Sequence, residues 1–316
     1  MNGLELARGY FEAYGRTMLE TEFSDLLPLL AVGAVGSGSD RYGFDDEISR
    51  DHDFEPGFCI FLPDETLVSR RQEFLLERAY AKLPKTFLGV SRQPLSPVGG
   101  NRNGVFRTSE FYRRAAGSPD GQLSLEQWLT LPDHALAEAV NGEVFFDNYG
   151  QFSEIRERLS RMPEDIRKKR LAGNLLLMAQ SGQYNFRRCL AHGEPEAAQL
   201  ALYEFVQAAL RTAFLLQNRY LPYYKWSFRA LRELAGAEAL ADKLSLLLLC
   251  DNRDDAAARR KYAAIEEIAA DTVSRLREKG LTEAICGDLE KHAYSVNDGI
   301  ADGSVRNMNI LIAVGD

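Results

Sequence analysis

Two kinds of hydrophobic spacing divide the 316 residues of the chain. Residues 4–30 have helical spacing interrupted near Phe23, and the apolar run after them turns abruptly into Gly, Ser and Asp, as a strand ending in a loop does. The segment ISRDHDFEPGFCIFLP has the mixed alternation of a second strand that Pro63 ends, and residues 65–82 return to helical spacing. The N-terminal part is therefore predicted to combine helices with strands.

Shorter strand-like stretches follow before the pattern changes. They lie at residues 86–90 and 105–108 and in EVFFD, residues 143–147. Between the first two, SRQPLSPVGGNRNG is rich in proline and glycine and predicts an exposed loop, the kind of segment that often carries substrate contacts.

From Phe152 onward almost all hydrophobic positions follow the helical period, most clearly in PEAAQLALYEFVQAALRTAFLLQNRY, which Pro222 ends. Further helices are predicted over residues 225–234, 237–249, 254–279 and 282–294. The expected fold class is α+β, with an N-terminal α/β domain over residues 1–150 and an all-α helical bundle over residues 151–296. Residues 297–316 form a tail whose sequence is compatible with a docked extension or with disorder.

Composition narrows the possible partners and the compartment. The chain has a formal charge of -8, which argues against a broad basic face for nucleic acid, because such binding depends on neutralising phosphates. No apolar run is long enough to cross a bilayer, and the N-terminus lacks the features of a secretory signal, so no membrane association and a cytoplasmic location are expected.

The stretch from Gly36 to Phe54, GSGSDRYGFDDEISRDHDF, carries the candidate chemistry. Asp51 and Asp53 are separated by one residue on a predicted strand, so their side chains project from one face while His52 points to the other. Two adjacent carboxylates suit a hard divalent cation such as Mg²⁺, which completes its shell with water and phosphate oxygens. Upstream, the backbone and hydroxyls of Gly36, Ser37 and Ser39 offer a turn for phosphates, and Arg41 adds positive charge.

The order of these motifs resembles the signature of the nucleotidyltransferase superfamily, which includes DNA polymerase beta and the kanamycin and streptomycin adenylyltransferases. The resemblance implies a nucleotidyltransferase domain with a mixed sheet, followed by a helical domain. It implies that Gly36 and Ser37 contact the triphosphate and that Asp51 and Asp53 hold the catalytic metals, Mg²⁺ or Mn²⁺. It also makes ATP, or another nucleoside triphosphate, the expected donor.

Three further segments, EVFFDNYGQFSEIR, GQYNFRR and NRYLPYYKWSFRAL, are similar to a bacterial branch of that superfamily catalogued only as a domain of unknown function. The superfamily usually adds a third carboxylate on a neighbouring strand. This sequence offers two alternatives, Asp147 at the end of EVFFD, which we favour, and Glu110. Tyr224 and Lys225, just after Pro222, are candidates for contacting the base and the triphosphate, although aromatic packing at a helix start explains them equally well.

The resulting hypothesis is two-metal transfer of a nucleoside monophosphate, AMP from ATP, to a hydroxyl acceptor with release of pyrophosphate. A small-molecule acceptor is favoured over a protein hydroxyl or an RNA end because the chain is acidic. Two alternatives stay open: a nucleotide-binding sensor without turnover, and a toxin or antitoxin type of interaction protein on the same fold.

Overall fold

A computed structural model describes residues 1–50, 54–92, 101–251 and 254–314. The N-terminal helical segment runs through α1 (Gly3–Tyr10), a π-helical turn (Phe11–Gly15) and α2 (Arg16–Glu22), and Phe23 ends it. Asn2 starts α1 with a capping box: its side chain accepts from the Glu5 amide and the Glu5 carboxylate accepts from the Asn2 amide, both at 2.9 Å. The interruption near Phe23 predicted from the sequence is confirmed.

A four-stranded sheet is formed by β1 (Ala31–Ala34), β2 (Cys59–Leu62), β5 (Gly104–Arg107) and β6 (Glu143–Asp147), and a separate hairpin is formed by β3 (Thr86–Phe87) and β4 (Val90–Ser91). The order of strands in the sheet is β5-β2-β1-β6. β1 is antiparallel to β2 and β6, whereas β2 is parallel to β5, so the sheet is mixed. The α+β class with a mixed sheet, predicted from the sequence, is confirmed.

β2 is shorter than the sequence pattern predicted. It begins at Cys59, the described residues 54–58 before it are not in a strand, and Ile48–Arg50 is a 3-10 turn. Pro56 and Gly57 explain the late start, because proline lacks the amide that a ladder needs and glycine weakens a strand.

The strand register brings four chain segments to one end of the sheet. Gly33 pairs with Cys59, Cys59 pairs with Gly104, and Ala34 pairs with Glu143. The end of β1 therefore lies beside the beginnings of β2, β5 and β6. We call this end of the sheet the turn edge, because the chain turns there through Gly36.

Both faces of the sheet are covered by apolar side chains. On one face, Tyr10 and Phe11 pack with Val32 and Ile60 in a fully buried cluster. On the other face, Phe61 stacks on Phe152 with ring centroids 4.1 Å apart. Because β2 is buried on both sides, it reads as a continuous apolar run, CIFL, rather than as an alternating one.

The remaining helices of the first 161 residues are α3 (Arg70–Lys82), α4 (Thr108–Ala116), α5 (Leu125–Thr130), α6 (Asp133–Val140) and α7 (Gln151–Ser160). A buried ion pair fixes the end of β5 to α3: the Arg107 guanidinium donates to the Glu73 carboxylate at 2.7 Å and to the Pro63 carbonyl at 2.6 Å. α4 starts directly after Arg107, so this anchor also sets where α4 begins.

The rest of the described chain is helical. Its helices are α8 (Glu164–Met178), α9 (Phe186–Ala191), α10 (Pro195–Leu216), α11 (Ser227–Arg232), α12 (Glu238–Leu249), α13 (Asp255–Glu278), α14 (Leu289–Asp298) and α15 (Gly303–Arg306), with a π-helical turn at Ala179–Asn185. α14 starts at Leu289, seven residues later than predicted, because Asp288 caps it by accepting from the Glu290 amide. No described helix has the length and apolarity that crossing a membrane requires.

The tail docks onto α8. The Lys169 ammonium, fully buried, donates to the Asn297 side chain at 2.8 Å and to the carbonyls of Arg306 and Met308 at 3.1 and 2.6 Å. Gly173 leaves room for the tail, since a Cβ there would press against the Ile310 carbonyl. Of the two alternatives for the tail, the docked extension is the one observed through residue 314.

The chain forms two compact units that are not contiguous in sequence. The first comprises Met1–Leu123 and Ala135–Arg161, and the second comprises Ser124–His134 and Met162–Asp316. The first unit contains the sheet, and the second unit is helical.

Candidate functional site

The Gly36-Ser37-Gly38 turn leaves β1 at the turn edge in a conformation that only glycine adopts easily. Gly36 has a φ of +98°, and Gly38 has φ +115° and ψ 149°. A Cβ on Gly38 would overlap both the Arg102 guanidinium and the Asp40 carboxylate. The glycines therefore let the chain reverse while an arginine lies directly across it.

Two side chains from distant parts of the sequence hold this turn. The Asn141 amide pairs with the Gly36 peptide, accepting from its N–H at 2.9 Å and donating to its carbonyl at 2.7 Å. Arg102 donates to the Ser37 carbonyl from Nε at 3.1 Å and from a terminal nitrogen at 2.7 Å, and it forms an ion pair with Asp40. Two successive carbonyls of the turn are thus occupied by donors.

A cavity of about 170 Å³ opens beside the turn, within the first unit. That volume holds on the order of ten waters at ~10–15 Å³ of probe volume each, so it fits part of a small organic molecule. Its lining combines backbone, apolar rings and charges: Val35, Gly36, Ser37, Cys59, Asn101, Arg102, Phe106, Glu110, Phe111, Arg114, Ala115 and Glu138. A concave apolar surface with a few convergent polar groups is the usual form of a ligand site.

The charged groups of the cavity come from three elements. Arg102 precedes β5, Glu110 and Arg114 lie one turn apart on α4, and Glu138 lies on α6. Two guanidinium groups can hold an anion such as a phosphate, and a carboxylate can accept a proton from a hydroxyl. The Cys59 thiol donates to the Arg102 carbonyl at 3.2 Å, and burial raises its pKa, so it lies in the wall as a neutral group.

The predicted metal ligands Asp51 and Asp53, with His52 between them, lie outside the described residues. Across the part of the chain that the structure describes, no group of three or more His, Cys, Asp or Glu side chains is arranged to hold a metal ion. The assignment of Asp51 and Asp53 stays a prediction from their spacing.

The two alternatives for a third carboxylate occupy different places. Asp147 pairs with Ala31 at the start of β1, which puts it at the end of the sheet opposite the turn edge. Its carboxylate accepts from the amides of Gly150 and Ser153, both at 2.7 Å, and so caps the start of α7. Glu110 is exposed in the first turn of α4 and lines the cavity. The geometry therefore places Glu110, and not Asp147, beside the turn.

Of the four residues at the turn that were predicted to contact phosphates, two line the cavity and two do not. Gly36 and Ser37 line the cavity. Ser39 begins a 3-10 turn, and its carbonyl accepts from the Phe44 amide at 2.8 Å. Arg41 is buried, donates to the Asn103 side chain at 2.5 Å and lies 3.5 Å from the Asp40 carboxylate. Arg102, and not Arg41, lines the cavity at the turn.

Tyr224 and Lys225 belong to the second unit, in the 3-10 turn Tyr224–Trp226 before α11. Both side chains are exposed, and the Tyr224 ring lies 4.4 Å from that of Tyr223. Their predicted contacts with a nucleotide stay predictions.

Sequence reasoning missed Arg102, Asn141 and Arg114. Arg102 and Asn141 contact the turn across 65 and 105 residues of sequence, so no local pattern pairs them with it, although Arg102 lies in the loop whose composition predicted substrate contacts. One signal was present for Arg114: it follows Glu110 by four residues, so both lie on the same face of a helix.

Comparison with known proteins gives two similarities. Residues 128–227, about a third of the chain, match the family model described as Domain of unknown function (DUF4037). No curated protein matches the chain. Among solved structures, the chain is similar to the crystal structure of a nucleotidyltransferase-like protein from Exiguobacterium sibiricum 255-15, with 11% identity over 90% of this chain and 80% of that one and a TM-score of 0.38. A TM-score of this size does not establish a shared fold.

Proposed function

We propose that the chain is a metal-dependent nucleotidyltransferase that moves a nucleoside monophosphate, AMP from ATP, to a hydroxyl group of a small molecule. The observation that carries the proposal is the cavity beside the Gly36-Ser37 turn, where Arg102 lies across the turn and Glu110 and Arg114 face the same space. A turn with its carbonyls occupied, next to two guanidinium groups, suits the phosphates of a nucleotide.

In the proposed reaction the acceptor oxygen attacks the α-phosphorus. The new bond joins that oxygen to the α-phosphate, the bond from the α-phosphorus to the bridging oxygen breaks, and pyrophosphate leaves with the electron pair. Glu110, a carboxylate that lines the cavity from α4, takes the proton of the hydroxyl. Arg102 and Arg114 hold the phosphates and offset the charge that develops on them.

Asp51 and Asp53 are proposed to hold Mg²⁺, on the strength of their spacing in the sequence. When bound, the ion supplies positive charge to the phosphate oxygens and lowers the pKa of the attacking hydroxyl. The preference for a small acceptor over RNA rests on the formal charge of -8.

The test uses the full chain with Mg²⁺, each of the four nucleoside triphosphates labelled at the α-phosphate, and a small-molecule cell extract. Wild type should release pyrophosphate and transfer label. Asp51→Asn and Asp53→Asn should abolish transfer, and Glu110→Gln should lower kcat about a hundredfold or more, as loss of a general base does.

Asp147→Asn is the matched control, because its side chain caps α7 at the far end of the sheet. It should transfer label within about twofold of wild type, since a cap contributes stability and not chemistry. Label transfer that persists in both aspartate variants would refute the proposal. Triphosphate binding without pyrophosphate release under all four conditions would replace it with the nucleotide sensor.

A further inference from the structure

Asn141 makes an unusual double contact for a side chain outside the cavity. It follows α6 and precedes β6. Its side-chain amide accepts from the N–H of Gly36 at 2.9 Å and donates to the carbonyl of the same residue at 2.7 Å. Only a carboxamide offers a donor and an acceptor in this side-by-side arrangement. The contact joins the turn to a segment 105 residues later in the chain.

The backbone that carries Asn141 is itself held in place. Arg156 donates to the carbonyls of Asn141 and Gly142 at 2.6 and 3.0 Å, from a guanidinium whose pKa burial lowers. Gly142, with φ +71°, packs so closely on β1 that a Cβ would overlap the Ala34 carbonyl oxygen. These contacts hold the Asn141 backbone against the end of β1.

The orientation of the turn follows from these two contacts together with Arg102. The Gly36 carbonyl is directed at Asn141, and the Ser37 carbonyl is directed at Arg102. Carbonyl oxygens facing a bound phosphate would repel it, so a turn that binds phosphate needs its carbonyls directed elsewhere.

We infer that Asn141 is a positioning residue for the nucleotide: by bonding both the N–H and the carbonyl of Gly36 it fixes the turn and keeps the Gly36 carbonyl directed away from the phosphates. The inference rests on the proposed function. Asn141 does not line the cavity, and it acts through Gly36. This role predicts a preference for ligands that carry a polyphosphate, because in the proposed complex the turn that Asn141 orients contacts the phosphates and not the nucleoside.

The test measures three affinities, for ATP with Mg²⁺, for inorganic tripolyphosphate and for adenosine, in wild type, Asn141→Leu and Asn141→Ser. Losing the two hydrogen bonds should weaken ATP and tripolyphosphate binding about tenfold, in line with the modest net value of each bond, and should leave adenosine binding unchanged. Hydrogen exchange at the Gly36 amide should accelerate in both variants, because that amide loses its acceptor.

Asn148→Leu is the matched control. Asn148 also donates its side-chain amide to a backbone carbonyl, that of Leu27 at 2.9 Å, but it follows β6 and so lies at the end of the sheet opposite the turn edge. It should bind all three ligands as wild type does. Asn141→Ser keeps a small polar side chain, so it tests the inference if the leucine variant does not fold.

Each outcome is informative. If the Asn141 variants bind ATP and tripolyphosphate as tightly as wild type, the inference fails while the proposed function stands. If adenosine binding falls as much as tripolyphosphate binding, the role is structural and the inference also fails. If wild type binds no triphosphate, the proposed function fails and the inference with it.

Discussion

Gly38→Ala tests how the turn and Arg102 depend on each other. Gly38 lies in a region of backbone conformation almost restricted to glycine, which costs other residues ~1–3 kcal/mol. The new methyl group would also overlap the Arg102 guanidinium and the Asp40 carboxylate, which are paired with each other, so both must move. Losing the Arg102 contacts with Ser37 adds on the order of 1–2 kcal/mol. The free energy of unfolding should therefore fall by roughly 2–5 kcal/mol.

Gly43→Ala provides the comparison. Gly43 also has a positive φ, +69°, but nothing lies within 4 Å of a Cβ built there. It should cost ~1 kcal/mol, the backbone contribution alone. Urea denaturation measures both losses, and titration with ATP and Mg²⁺ measures the site. Affinity should fall at least tenfold in Gly38→Ala and stay within about twofold in Gly43→Ala. Equal, small losses in the two variants would show that Arg102 moves without cost and that it does not hold the turn.

Two further predictions concern stability. Lys169→Met removes a buried donor that three acceptors of the tail share, although the Arg306 carbonyl keeps its bond from the Asn297 amide; it should lower the free energy of unfolding by ~2–4 kcal/mol and speed proteolysis of residues 300–314. Lys168→Met, whose ammonium makes one exposed contact, should cost under ~1 kcal/mol, and equal losses in the two variants would contradict the prediction. Burial raises the pKa of Tyr80 and Tyr112 above the ordinary value for tyrosine. The stability that each neutral phenol contributes is therefore complete below about pH 10, and above it the free energy of unfolding falls by up to ~1.4 kcal/mol per pH unit for each tyrosine. Denaturation at pH 9 to 11 measures this fall, which should be shallower in Tyr112→Phe than in wild type.

Elements whose contacts are local were predictable from the sequence. The apolar run before Gly36 predicted a strand and then a turn, and both are present in the structure as β1 and its exit. The same reasoning predicted that β2 begins before Cys59, because it gave more weight to the alternation in ISRDHDFEPGFCIFLP than to Pro56 and Gly57, which disfavour a strand. Strand alternation alone cannot show where pairing with a neighbour begins.

The arrangement of the site was harder to predict from the sequence. The sequence suggested that Asp147 is a metal ligand or base at the end of a strand. Its carboxylate instead accepts from the amides of Gly150 and Ser153, three and six residues later, in a local helix cap that no sequence motif predicted. Arg41 looked like a phosphate contact, yet it is buried beside Asp40. Arg102 takes the position at the turn because the parallel pairing of β2 and β5 brings residue 102 to the turn edge, and such pairing is non-local.

The interleaving of the two units has a consequence for fragments of this protein. The chain passes from one unit to the other after Leu123, after His134 and after Arg161. A cut at any single peptide bond therefore leaves at least one unit incomplete. A fragment ending at residue 123 would lack β6 and with it the edge strand beside β1, while a fragment starting at residue 162 would lack α5, which packs on α8. Ribosomal synthesis has to proceed past the second crossing, and almost to the third, before the sheet can acquire its last strand together with α7.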